Sequence, residues 1–245
     1  MMKGNEMRRT LTIFMLTILL LISFSACSKK ENPFPANGVL IIGDENNISP
    51  IINRYQEITE ENEVFSVKKG EVGNGNVLIL NESTAQALIK EKLFRKQDNG
   101  SNYIIDTLPK FPKEGALLFT SEDNKTMKSI KIGEEEIPVT YDSDAWIGNN
   151  RKYSTEWYMI VAKNSVYKEI KANEMKMHLL HLKKSLGDEK PKMSTDNTLV
   201  NENVKVKKLI KGLEGEVSFH FVTIGKKTLK KSSKLIKISS ASNSF

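Results

Sequence analysis

A chain of 245 residues that is 39% hydrophobic and 27% charged has the composition of a soluble folded protein, which excludes an intrinsically disordered one. Its single cysteine excludes an internal disulfide framework, CxxC redox chemistry and cysteine-ligated zinc. The net charge of +7 is unevenly spread, with ten lysines against Glu202, Glu214 and Glu216 in residues 201–245.

At the start of the chain, Arg8 and Arg9 precede an uncharged apolar run from Leu11 to Ala26, and Cys27 follows the small pair Ser25-Ala26. A basic, an apolar and a small-residue region in that order make residues 1–26 a secretory signal peptide. The tetrad Phe24-Ser25-Ala26-Cys27 resembles the lipobox of bacterial lipoprotein precursors, with Phe24 in place of the commoner Leu. The resemblance covers only the leader. It implies cleavage before Cys27, a diacylglyceryl group on the Cys27 sulfur, and a body held at the extracytoplasmic face of the cell membrane. Two acyl chains, at roughly 0.8 kcal/mol per buried CH₂, suffice for stable anchoring where one does not. The rival reading is an uncleaved membrane-spanning anchor, because Thr10 to Ser28 carries no charge and approaches the roughly 20 residues a span needs.

Residues 27–37 read as a polar, proline-spaced tether, and 38–187 as an α/β-type globular domain. Val39–Ile42 reads as a buried strand, and Ser49-Pro50 as a helix start leading to Glu61-Asn62. A strand over 64–69, a turn over 70–76 and a second buried strand over 77–80 follow. The Ser83 to Gln86 capping box then opens a helix that Asp98-Asn99-Gly100 should stop. The two buried strands look like neighbours in one parallel or mixed sheet. Beyond Tyr103 the pattern turns β-rich, with strands over 103–106, 116–120, 130–132, 137–141 and 156–162. Met175, Leu179, Leu182 and Leu186 fall on one face of a helix predicted over 165–186. Residues 188–198 read as a linker, 199–239 as a small basic antiparallel β segment with strands over 204–210, 217–224 and 234–238, and 240–245 as a frayed tail. The fold class expected is α/β to α+β, with a mixed sheet and flanking helices in the N-terminal lobe and a β-rich C-terminal lobe.

Three constellations are candidates for chemistry. Asp44, Asn46, Asn47 and Ser49, with Asn81, Ser83 and Thr84, would share the carboxyl edge of a parallel sheet, where ligands collect; the same residue types also serve as ordinary helix caps. Glu174, His178 and His181 share one face of the predicted helix and could hold a zinc-like ion, with His220 as a further ligand. Asp142-Ser143-Asp144 starts like a calcium loop but fails the template at Trp146. No catalytic residue emerges: there is no GxSxG or Walker loop, and the SxxK strings at Ser66 and Ser165 lack a following KTG. No cofactor is expected. The reading is a lipid-anchored, non-catalytic binding or interaction protein. The alternatives are a transporter's solute-binding component, which would need a two-lobed cleft, and a cell-envelope hydrolase. The partners expected are the membrane through Cys27, and anionic lipid or cell-wall polymer through the 201–245 lysines. Nucleic acid is a poor partner for an exported chain.

Overall fold

The Val39–Ile42 run is apolar throughout because the strand it forms is covered on both faces. That strand, β1 (Gly38–Gly43), belongs to a computed structural model that describes residues 34–73, 75–98, 100–149, 151, 158–187, 198–213 and 215–225. Cys27, the rest of the leader, residues 188–197 of the linker, the strand expected over 234–238 and the tail over 240–245 lie outside the described residues.

The remaining strands are β2 (Thr59–Val72), β3 (Gly75–Asn81), β4 (Phe94–Asp98), β5 (Ser101–Ile104), β6 (Ala116–Phe119), β7 (Ser129–Ile132), β8 (Glu135–Ser143), β9 (Ala145–Ile147), β10 (Tyr158–Ala162), β11 (Asn173–Leu182) and β12 (Ser218–Val222). Four helices accompany them among the described residues: α1 (Glu45–Tyr55), α2 (Glu82–Lys90), α3 (Asn164–Glu169) and α4 (Thr198–Leu209). Nine strands form one mixed sheet in the order β12-β1-β11-β2-β3-β10-β6-β8-β7, and β5-β4-β9 form a smaller one. The mixed sheet with flanking helices is as the sequence predicts. Only the β3/β10 and β6/β8 pairs are parallel.

One face of the large sheet carries Leu40, Ile42, Val67, Leu78, Leu80, Met177 and Leu179, under α2 and the small sheet. On the other face, α1 and α4 cover Val39, Ile41, Leu180 and Phe221. Farther along that second face, α3 and the curled β7–β8 hairpin enclose Ile79, Leu118 and Ile160. The curl brings Ile132 of β7 onto Gly70 of β2, where a Cβ would meet Ile132 at 2.7 Å.

Several local expectations are corrected. Residues 173–182 form a strand, with only the short α3 before it. In the middle of the sheet Met177, His178, Leu179 and Leu180 are all buried, and a strand buried on both faces mimics a helical stripe. Conversely, residues 198–209 are helical where a strand over 204–210 was read. Val206 and Ile210 face the core together, while Val200, Val204 and Leu209 are exposed. Helix α1 starts earlier than Ser49: Asp44 caps it by accepting from Asn46 N, and Pro50 lies inside. Helix α2 ends at Lys90, well before Asp98, which instead ends β4 and pairs with Ser101 at the start of β5. The 199–239 segment is not a separate sheet as far as it is described, because β12 pairs with β1 at the edge of the large sheet.

The end of the tether is likewise part of the fold. Ala36 is fully buried, its N–H donates to Gly187 O, and its carbonyl accepts from Leu186 N.

Candidate functional site

The seven polar residues expected along one ligand edge are split between two helices on opposite faces of the sheet. β1 and β2 run the same way, and β3 runs back against β2 through the turn at Gly73, whose φ is +57°. The carboxyl ends of β1 and β3 therefore point in opposite directions, so they share no carboxyl edge; Asp44, Asn46, Asn47 and Ser49 lead into α1 on one face of the sheet, and Asn81, Ser83 and Thr84 into α2 on the other. β11 and β2 also separate the two strands. Each group is occupied locally. Ser49 Oγ donates to Glu45 O, Asn47 Nδ2 donates to Glu216 Oε2, and Asn81 Oδ1 accepts from Thr84 N. Ser83 Oγ pairs with the Asn164 amide across to α3.

The helical face that would have joined Glu174, His178 and His181 does not form. On β11, even-numbered and odd-numbered side chains point to opposite faces. His178 is buried beneath α1, with Nδ1 3.1 Å from Asn62 Oδ1 and Nε2 3.5 Å from Glu45 Oε2. Glu174 shares that face but is 74% exposed, and its nearest cation is the Lys68 ammonium at 3.9 Å. His181 lies on the other face, opposite Glu61 of β2 and diagonal to Glu63. Donor atoms of Glu61, Glu63 and His181 all lie within 4.8 Å of one another. His220 stands opposite Leu40 and lines an enclosed cavity of about 20 Å³, too small for a solute.

Sequence reasoning missed Glu61 and Glu63 as partners because that stretch was assigned to the end of a helix. The usable signal was alternation: Glu61, Glu63, Phe65 and Val67 recur every second residue and share a face of β2.

The larger concave surface is a groove of about 830 Å³ between α2 and the segment following β5. Glu82, Gln86, Ile89 and Lys90 form one wall, and Asp106, Leu108, Pro109 and Phe111 the other, with Lys163 at one end. Lys163 also donates to Pro112 O, tying this wall to the end of β10. The groove combines apolar contacts with charges of both signs.

A third cluster surrounds Lys68, which is 5% exposed. Its ammonium donates to the carbonyls of Tyr167 and Ile170 at the C-terminus of α3. Burial, and secondarily the Glu174 charge, push the Tyr167 phenol up to about 12. Lys69 is also buried and donates to Gly215 O. Both lysines hold backbone carbonyls in place and face no cavity described above.

The model of an uncharacterised lipoprotein family matches residues 36–211, from the buried end of the tether through α4. The chain belongs to this lipoprotein family. A 1.5 Å crystal structure of a Bacillus anthracis protein classed as a lipoprotein shares the fold, with a TM-score of 0.58 at 23% identity. The likeness covers 77% of this chain and 99% of that one. No curated protein matches this lipoprotein. Among the described residues no helix is long and apolar enough to cross a membrane.

Proposed function

We propose that this lipoprotein is a non-catalytic binding protein at the extracytoplasmic surface of the cell membrane, held there by lipid on Cys27 and by its lysine-rich C-terminal segment. The observation that carries the reading is where the chain enters and leaves the fold. Thr223 Oγ1 donates to Pro35 O, Ile224 N donates to Asn37 Oδ1, and Asn37 Nδ2 donates to Ile224 O. The two ends of the described fold, at Pro35 and Ile224, thus meet at one corner. A lipid at Cys27 brings that corner near the bilayer, and the six lysines of residues 226–245 depart from the same place. Each lysine near an anionic surface contributes about 1 kcal/mol. The two acyl chains on Cys27 anchor the chain by themselves, and the basic segment adds to that attachment.

The groove beside α2 is the binding face in this reading, since its volume is in the range of small-ligand and peptide sites. The transporter alternative required Asn46, Ser49, Ser83 and Thr84 to line one cleft, and nothing in their positions favours it.

Two experiments test the proposal. Cys27→Ser should move the protein from the membrane fraction to the soluble fraction and remove its lipid label. A variant that stays membrane-bound at unchanged size, from a wild type carrying no lipid, would refute the anchor. Purified Cys27→Ser protein should bind phosphatidylglycerol vesicles in low salt and not phosphatidylcholine vesicles. Ending the chain at Gly225 should abolish this binding. Equal binding with and without residues 226–245 would refute the second attachment.

A further inference from the structure

We infer that Glu61, Glu63 and His181 form a binding site for one divalent transition-metal ion, best suited to zinc, on the face of the β2–β11 ribbon. This inference is independent of the membrane role proposed above. The three side chains come from adjacent antiparallel strands, with His181 directly opposite Glu61 and Glu63 two residues farther along the same face. Cross-strand neighbours on one face stand close enough to share a ligand. Their donor atoms already lie within 4.8 Å of one another. A tetrahedral zinc site with bonds of about 2.0–2.1 Å needs its ligands roughly 3.4 Å apart, so a modest inward movement completes the set.

The second observation concerns His181 itself. Its Nε2 is shielded from solvent and lies 3.0 Å from Glu63 Oε1, yet it is off the line a hydrogen bond requires. A ring nitrogen shielded from water and without a hydrogen bond, beside a carboxylate, is the kind of donor that a cation would satisfy. The surroundings allow both grip and access. Side-chain exposure is 13% for His181 and 24% for Glu63, while Glu61 is exposed. Among the described residues β2 pairs with β3 only from Lys68 onward, so its first half, which carries both glutamates, has no strand partner on that side. An ion held here keeps coordination positions for water or for a group from outside the chain. One imidazole and two carboxylates suit zinc or its divalent neighbours better than calcium, which prefers oxygen ligands alone.

The test uses the intact chain, stripped of metal and kept in detergent, titrated with zinc chloride and separately with cobalt chloride. One ion should bind per chain and raise the melting temperature, and bound cobalt should show visible absorption bands from direct ligation. His181→Ala and Glu63→Gln should each weaken zinc binding at least about tenfold. Because His181→Ala removes a half-buried side chain, Glu61→Gln, at an exposed position, provides a variant that keeps the fold; it too should weaken binding. The inference is overturned if neither ion binds saturably at millimolar concentration. It is equally overturned if binding persists unchanged in all three variants, or if cobalt binds without ligand-field bands; the contact between His181 and Glu63 is then an ion pair and nothing more.

Discussion

Lys68 places a full charge inside the curled half of the sheet and satisfies it with two carbonyls, at 3.0 Å from Tyr167 O and 2.6 Å from Ile170 O. Those carbonyls lie at the negative end of α3, so the ammonium also complements the helix dipole. Lys68→Met removes the donor and strands both acceptors. Denaturant unfolding should show a loss of about 2–3 kcal/mol. The adjacent Tyr167 points the other way energetically, because its hydroxyl is buried without a hydrogen-bond partner. Tyr167→Phe keeps the ring that Lys68 lies over, 4.8 Å from its centroid. It should be neutral or stabilising by up to about 1 kcal/mol at pH 7. The pH dependence has a definite sign. A phenol raised to about 12 in the fold contributes stability that is present below its ordinary value of 10 and lost as pH climbs between the two. Over that alkaline window Tyr167→Phe should lose less stability than the wild type, in unfolding curves taken at stepped pH. None of this was visible in the sequence: Lys68 and Lys69 read as one polar and one alternate position of a strand, and nothing in the residue types distinguishes a buried lysine from a solvated one.

Between elements, the α1–α4 contact joins parts of the chain that the sequence assigned to separate lobes. Arg54 of α1 clamps the Glu202 carboxylate of α4 with Nε at 3.1 Å and Nη2 at 2.7 Å, and Lys205 adds a contact at 2.8 Å. Burial by itself would raise the Glu202 carboxyl, but the hydrogen bonds from Lys205 and Arg54 outweigh it and hold the group below its usual 4.5. Its contribution is therefore present above that value and fades as pH falls through and below it. Glu202→Gln should cost about 1 kcal/mol at pH 7, and the difference from wild type should close as unfolding is measured toward pH 3. At this scale the sequence was legible where a strand had one dominant pattern. β1, β3, β6, β8 and β10 were all placed within about two residues, inside the usual boundary error. It failed where two periods fit one stretch. Residues 173–182 satisfy a helical stripe and a doubly buried strand equally, and Val204-Lys205-Val206-Lys207 alternates although only Val206 of α4 is buried. The site inference failed for a related reason. The turn over 70–76 was recognised, but its consequence was not carried through: a hairpin reverses β3, so β1 and β3 share no carboxyl edge, and the helices that follow them pack on opposite faces.

For the molecule as a whole, the close approach of strands on the curled half of the sheet depends on places where no side chain fits, Gly70 under Ile132 and Gly115 against Pro138. Gly115 enters β6 at φ +77°, and a Cβ there would collide with Pro138 O of β8. Gly115→Ala meets both a left-handed backbone and a backbone clash, so a loss of about 3 kcal/mol or more is expected, measured as a fall in melting temperature. The other half of the sheet is completed from the two extremes of the chain. β1 is flanked by β11 and β12 and by nothing made earlier. Asn37 and Ile224, bonded to each other, are 187 positions apart. Synthesis makes Val39–Ile42 before either of the strands that hydrogen-bond to them, so β1 has no partner until β11 emerges and is enclosed on both edges only once β12 follows.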